Sequence, residues 1–327
     1  MKNQRDAYVD VAKGIAMLLV VRIHTEVFGV INAPYPIIAV PLFFFLSGFY
    51  DNTYKPVNEW LPKTFKSLFV TGVIWVFLSF GYVSLLRYIK DGTLSVNFSL
   101  TKPLIGGGVT WFLFALFYAK CCVSMLNKSK LPKSISFMLL LFVGAAASKT
   151  NLPLLFDEGL AATPFYYLGK LCYPYINKER NSDKWLAVGG LVCLLLMPCR
   201  WFPWVMVPYD SNLPVVMYPL CFFMVVLSFA PVLWIAKKLT TQKWLSEYGR
   251  QTLGILVLHP LMLHTIAVTL NRLLTPGSWC WIILFLCSYV FVSVVCYYSS
   301  LWILKYCPIL LGREKRKNTT YDSTASQ

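Results

Sequence analysis

Charge is scarce in this sequence. Aspartate, glutamate, lysine and arginine make up 13% of its 327 residues, against 57% hydrophobic residues, whereas a soluble domain is about a quarter charged and about half apolar. A soluble fold of this length has too little polar surface to cover so much apolar material, and apolar runs of membrane-spanning length recur from one end to the other. Acidic residues are scarcer still, 14 against 30 lysines and arginines, for a net charge of +16. Such a bias can mark a nucleic-acid binder, but in a membrane protein it marks positively charged cytoplasmic loops. Histidine is rarest: His24, His259 and His264 are the only three, and all fall in apolar segments.

Other absences narrow the class further. None of the ten cysteines forms a CxxC pair, and no CxxC-to-HxxxH spacing occurs, so no metal site is expected and packed free thiols are. The vicinal Cys121-Cys122 reads the same way. The opening "MKNQRDAYVDVAKG" lacks the uninterrupted hydrophobic core and small-residue cleavage site of a signal peptide, which predicts an uncleaved first helix.

Ten apolar segments are legible, near 8–29, 36–50, 66–89, 109–126, 134–149, 158–177, 184–200, 214–236, 250–271 and 278–305. The second is short and contains Pro41, so broken or irregular backbone lining a wet cavity is expected there. With the amino terminus inside, the inner segments hold 22 of the 30 basic residues. The outer ones hold Arg87, Lys90, Lys102, Lys149, Arg200 and Arg272, and Lys13 and Arg22 lie within the first span. Alternation with every crossing predicts an all-α polytopic membrane protein of about ten transmembrane helices with both termini cytoplasmic, and removes the nucleic-acid reading. The expected organisation is one membrane domain over 1–305 and a disordered basic and polar cytoplasmic tail over 306–327, basic at "REKRK" and polar at "NTTYDSTASQ".

Residues 13–24, "KGIAMLLVVRIH", carry charge where it is expensive. At 100° per residue, eleven steps return to within about 20° of the start, so Lys13 and His24 share one helix face, roughly 16 Å apart along the axis. Ionisable groups inside a membrane usually face a wet interior or a partner. A neutral imidazole suits a general base, and a lysine at the inner end suits an anionic ligand arriving from the cytoplasm, such as a phosphate-bearing cofactor. A lysine there can also simply snorkel to the interface, and a buried histidine can simply bridge helices. Asp10, three residues before Lys13, is placed to pair with it, and Arg22 and Glu26, four apart, to pair with each other. His259 lies nine residues from the inner-end Arg250, about 13 Å into the membrane at helical rise. That is comparable to the depth of His24, so the two histidines are able to meet.

The stretch "YVDVAKGIAMLLVVRIH" resembles the first-helix motif of the acyltransferase family 3 membrane proteins, in which a basic residue, ten residues and a histidine follow an acidic one. The family more often has arginine where this chain has Lys13, which keeps the charge but loses a two-pronged grip on phosphate or carboxylate. "PLFFFLSGFY" (41–50) is similar to its second-helix signature, "TWFLFALF" (110–117) to its "WFL…L" helix, "GLAATPFYYLGK" (159–170) to its sixth helix, and "YGRQTLGILVLHP" (248–260) to its late helix ending in histidine. The five stretches occur in the family's order and span most of the chain.

The resemblance implies a ten-helix acyltransferase of the inner or plasma membrane, taking an acyl group, commonly acetyl, from cytoplasmic acyl-CoA to a sugar hydroxyl at or beyond the outer face. Acetyl-CoA would be the donor, a glycan or lipid-linked sugar the acceptor and the lipid bilayer the surroundings. Carried over residue by residue, His24 would be the catalytic base, Lys13 would contact the donor with Asp10 beside it, and Ser47, Trp111 and His259 would line the site, with Arg22 and Glu26 in support. No stretch matches the soluble hydrolase-like domain of many members, which argues against a second catalytic domain finishing the transfer. "LFDEGLAATPFYYLGK" is most similar to the fucose 4-O-acetylase-like branch. The rival reading is a transporter or flippase for a glycolipid or oligosaccharide, which would use a similar wet cavity.

Overall fold

The computed structural model describes residues 6–24, 38–92, 109–150, 152, 155–178, 182–196, 215–273 and 278–313. Among the described residues the regular structure is all helical. The helices are α1 (Ala7–Ile23), α2 (Ala39–Gly48), α3 (Val57–Thr64), a π-helical segment (Phe65–Val70) running into α4 (Thr71–Asp91), α5 (Trp111–Lys128), α6 (Lys133–Ala147) and α7 (Phe156–Lys178). They continue with α8 (Ser182–Leu196), α9 (Tyr218–Leu227), α10 (Phe229–Lys238), α11 (Lys243–Arg250), α12 (Thr252–Leu273) and α13 (Trp279–Tyr306). Among the described residues three stretches, Val57–Ile89, Tyr218–Lys238 and Trp279–Tyr306, are long and apolar enough to cross a membrane.

Several details depart from the sequence reading. Helix α1 runs to Ile23 with His24 as its C-cap; the expected boundary at 29 lies outside the described residues. Helix α2 is regular over its ten residues, because Pro41 occupies the first turn, where no N–H has an intrahelical partner to lose. The segment expected from residue 66 starts at Val57 and passes through the π-helical turn three residues after Pro62. There the Thr71 hydroxyl bonds the Lys66 carbonyl, five residues back, at 3.3 Å, as a widened turn allows. The run near 214–236 is divided at Ser228 into α9 and α10, since Pro231 removes a backbone donor just downstream. Helix α11 lies where a plain cytoplasmic loop is expected. The tail expected to be disordered from 306 begins instead with a 3₁₀ turn over Pro308–Leu311. It is docked on α4 by the Trp75 indole N–H, which donates to the Leu310 carbonyl at 2.6 Å. The rest of the tail, from 314, lies outside the described residues.

Two helices organise the packing. Helix α1 is surrounded by α2, α10, α11 and α12, and helix α7 by α2, α5 and α6. Val9, Val11, Ala12, Ala16, Met17, Val20 and Val21 of α1 are buried, and Ile15, Leu18 and Leu19 half-buried. Helix α2 sits between the two centres and reaches α7 through glycines. A Cβ on Gly48 would collide with the Tyr166 carbonyl, and a Cβ on Gly169 with the Phe45 carbonyl. Small residues let membrane helices approach to backbone contact, where dispersion takes over from the hydrophobic effect. Thus "PLFFFLSGFY" and "GLAATPFYYLGK" meet face to face.

Candidate active site

Lys13, Met17, Val20 and His24 recur at intervals of four, three and four along α1, one stripe of a 3.6-residue helix. All four line a single cavity of about 190 Å³. Val40, Phe43 and Ser47 of α2, Trp111 and Phe112 of α5, and Thr252, Leu253 and Leu256 of α12 add to its wall. Lys13, His24, Ser47 and Trp111 are therefore brought to one space by three different helices. The remaining lining is largely apolar, with Phe112 packed edge-on against Phe44 at 4.8 Å between ring centroids.

The two ends of the stripe differ. At the Lys13 end the ammonium stands 5.8 Å from the centre of the Tyr50 ring, within range of a cation–π attraction. The Tyr50 hydroxyl accepts from the Asp6 backbone N–H at 3.3 Å, and the Tyr173 hydroxyl donates to the Asp6 carboxylate at 2.7 Å. At the other end His24 is exposed and lines the cavity. His24 Nδ1 lies 2.9 Å from the Val20 carbonyl and 3.3 Å from His259 Nε2, while His259 Nδ1 lies 2.9 Å from the Ile255 carbonyl. The rings meet edge to face, 4.9 Å between centroids and 72° between planes. His259 is fully buried and does not line the cavity.

Asp10, expected beside Lys13, also reaches a second helix. It is fully buried and outside the cavity wall, and its Oδ2 accepts from Arg250 Nε of α11 at 2.9 Å. Gly249 makes that approach possible, since a Cβ there would overlap the Asp10 carbonyl. Arg22 is half-buried on another face of α1; Glu26, its expected partner, lies outside the described residues. His264, also half-buried, lies beyond the cavity wall.

Beyond α2 the chain is pinned by a buried carboxylate. Asp51 pairs with Lys170 of α7 at 3.1 Å and accepts from the Tyr166 hydroxyl at 2.9 Å and the Thr53 hydroxyl at 3.0 Å. Lys170 also donates to Asn127 of α5. Burial pushes the Asp51 carboxyl up, but the Lys170 charge and these hydrogen bonds outweigh it and hold the group below the usual carboxylate range. This network fixes the end of α2 next to Ser47, whose hydroxyl turns back to the Phe43 carbonyl at 2.7 Å.

Sequence reasoning brought the late helix to the site through His259 but missed its wall residues Thr252, Leu253 and Leu256 and the role of Arg250. The α12 residues carry a readable signal, because Thr252, Leu256 and His259 sit at intervals of four and three, placing them on one face. Arg250 carries no such signal, being 240 positions from Asp10.

Among the described residues, no group of three His, Cys, Asp or Glu side chains is arranged to hold a metal, and the described cysteines are free thiols. No curated protein and no solved structure matches the chain. Residues 6–298 match the acyltransferase domain of acyltransferase family 3. That stretch holds the α1 stripe, the cavity walls and both paired histidines, and the chain belongs to this family of acyltransferases.

Proposed function

We propose that this protein is a membrane O-acyltransferase that moves an acetyl group from cytoplasmic acetyl-CoA to a hydroxyl of a cell-surface or lipid-linked sugar. The observation that carries this reading is the one cavity lined by both Lys13 and His24. It joins a cation for an anionic donor to an imidazole for the hydroxyl proton. The 22-to-six distribution of basic residues supports ten crossings with both termini inside. In that orientation the Lys13 end of α1 faces the compartment that holds coenzyme A. The sugar acceptor is supported by the likeness of "LFDEGLAATPFYYLGK" to the fucose 4-O-acetylase-like branch.

The reaction needs a base and a place for negative charge. His24 Nε2 takes the proton as the acceptor oxygen attacks the thioester carbonyl. The C–S bond then breaks, and the same proton passes to the departing thiolate. Ser47, Trp111 and Thr252 bring hydroxyl and indole groups to the same wall, from which a developing oxyanion would be stabilised, and the apolar lining excludes the water that would hydrolyse the thioester.

Lys13 provides the test. Hydrogen bonds to charged groups are worth about 1.5–3 kcal/mol, so Lys13→Met should raise the apparent KM for the acyl donor about 10- to 100-fold with a smaller change in kcat. Lys13→Arg should recover most of that loss, because the charge is kept. Unchanged donor KM in the methionine variant would leave Lys13 as an interfacial side chain and remove the donor from this end of the cavity.

A further inference from the structure

The His24–His259 contact has only one neutral arrangement of protons. A backbone carbonyl can only accept, so the nitrogen facing it must carry the hydrogen. His259 Nδ1 faces the Ile255 carbonyl at 2.9 Å, which makes it the N–H and leaves Nε2 with a bare lone pair. His24 Nδ1 faces the Val20 carbonyl at 2.9 Å, which makes it the N–H of its own ring. The His24 Nδ1–H is therefore shared between the Val20 carbonyl at 2.9 Å and the bare Nε2 of His259 at 3.3 Å, and the Nε2 of His24 is left bare. Each histidine is set by the carbonyl four residues back in its own helix, α1 in one case and α12 in the other.

We propose that His259 is a positioning residue that acts through its Nε2 on His24, holding the exposed ring with its bare Nε2 free to take the acceptor's proton. The inference rests on the acyl-transfer reading above. His259 is fully buried and outside the cavity wall, so substrate reaches His24 alone. When His24 takes a proton at Nε2, the ring becomes a cation and its Nδ1–H becomes a stronger donor. The bond to His259 is then charge-assisted, shorter and stronger than in the resting pair. An interaction that strengthens only as charge develops lowers the barrier without tightening ground-state binding. A fully buried imidazole is a poor site for net charge, so the shared hydrogen stays on His24 and His259 stays neutral throughout.

The edge-to-face rings, 72° apart, add a second constraint. The hydrogen bond holds the Nδ1 edge of His24 against His259, and the ring-to-ring packing restricts rotation about the His24 side chain. Without it, the Val20 carbonyl alone would hold a ring at the exposed end of α1.

Two measurements test the assignment. The chain has three histidines, so 15N-histidine labelling of the wild-type protein in lipid bilayers gives six ring nitrogens in the solid-state NMR spectrum. His24 and His259 should both show a protonated Nδ1 and a bare Nε2, with a through-bond coupling from His24 Nδ1–H to His259 Nε2. A bare Nδ1 on His24 would overturn the proposal. In kinetics, His259→Leu should lower kcat about 10- to 100-fold, the worth of a charge-assisted hydrogen bond, with donor KM changed less than about threefold. His259→Gln, whose amide oxygen can take the Nδ1–H, should recover a large part of that loss. Equal activity in the leucine variant, or equal loss in the leucine and glutamine variants when both are folded, would overturn it. The spectrum requires no turnover: the predicted protonation pattern in a protein that transfers no acyl group would uphold the pairing and sink the acyltransferase reading instead.

Discussion

Replacement of His24 by alanine should lower acyl transfer by at least about a hundredfold, the lower end of what a positioned general base contributes. The fold should survive the change. His24 stands at the end of α1, and among the described residues its hydrogen bonds run to Val20 and His259. Losing them leaves one acceptor on His259 unmade, a penalty of about 1–3 kcal/mol. Membrane insertion and chromatographic behaviour should therefore stay near normal while turnover collapses. His264, off the cavity wall, provides the control, since His264→Ala should change turnover far less. A His24→Ala protein that keeps more than about a tenth of wild-type turnover, against the hundredfold or greater loss expected of a missing base, would make His24 structural.

The second large effect concerns packing. Gly169→Leu should leave little folded protein, because its side chain has nowhere to go. The Cβ alone meets the Phe45 carbonyl, and backbone of a buried helix cannot rotate aside as a side chain would. Helices α2 and α7 would have to separate, which also pulls Asp51 from Lys170 and moves Ser47 off the cavity. Overpacking typically costs about 1–3 kcal/mol where the core can adjust, and more where backbone is the obstacle. Gly81, by contrast, has open space around its missing Cβ, so Gly81→Leu should be recovered in normal yield. Detergent-solubilised protein monitored by size exclusion and thermal unfolding reads both. Equal recovery of the two variants would mean that α2 and α7 are not in backbone contact.

The helical segments are legible because membrane helices satisfy their own backbone, so each is a self-contained apolar run between polar turns. Ends and irregularities are less so. Nothing local announces that the turn over Phe65–Val70 widens. Helix α11 escapes notice because its eight residues include Lys243, Glu247 and Arg250, which read as loop until Leu245 and Gly249 are seen buried against α1. The site divides in the same way. The shared face of Lys13 and His24 follows from their spacing on one helix. Their common cavity with Ser47 and Trp111, the His24–His259 bond and the Asp10–Arg250 pair depend on which helices lie side by side. Apolar periodicity shows that a face is covered; it does not name the neighbour.

Sealed membrane vesicles of the two orientations, supplied with acetyl-labelled coenzyme A from outside, test acyl transfer from the cytoplasmic face most directly. Inside-out vesicles present the Lys13 end of α1 to the donor and should pass label to a sugar acceptor. Right-side-out vesicles should not, until they are permeabilised, and His24→Ala should abolish the signal in both. An intact thioester in every preparation, alongside movement of a glycolipid across the membrane, would contradict the acyltransferase mechanism and make the chain a transporter. Label transferred only in right-side-out vesicles would contradict it as well, by placing donor binding at the opposite end of α1.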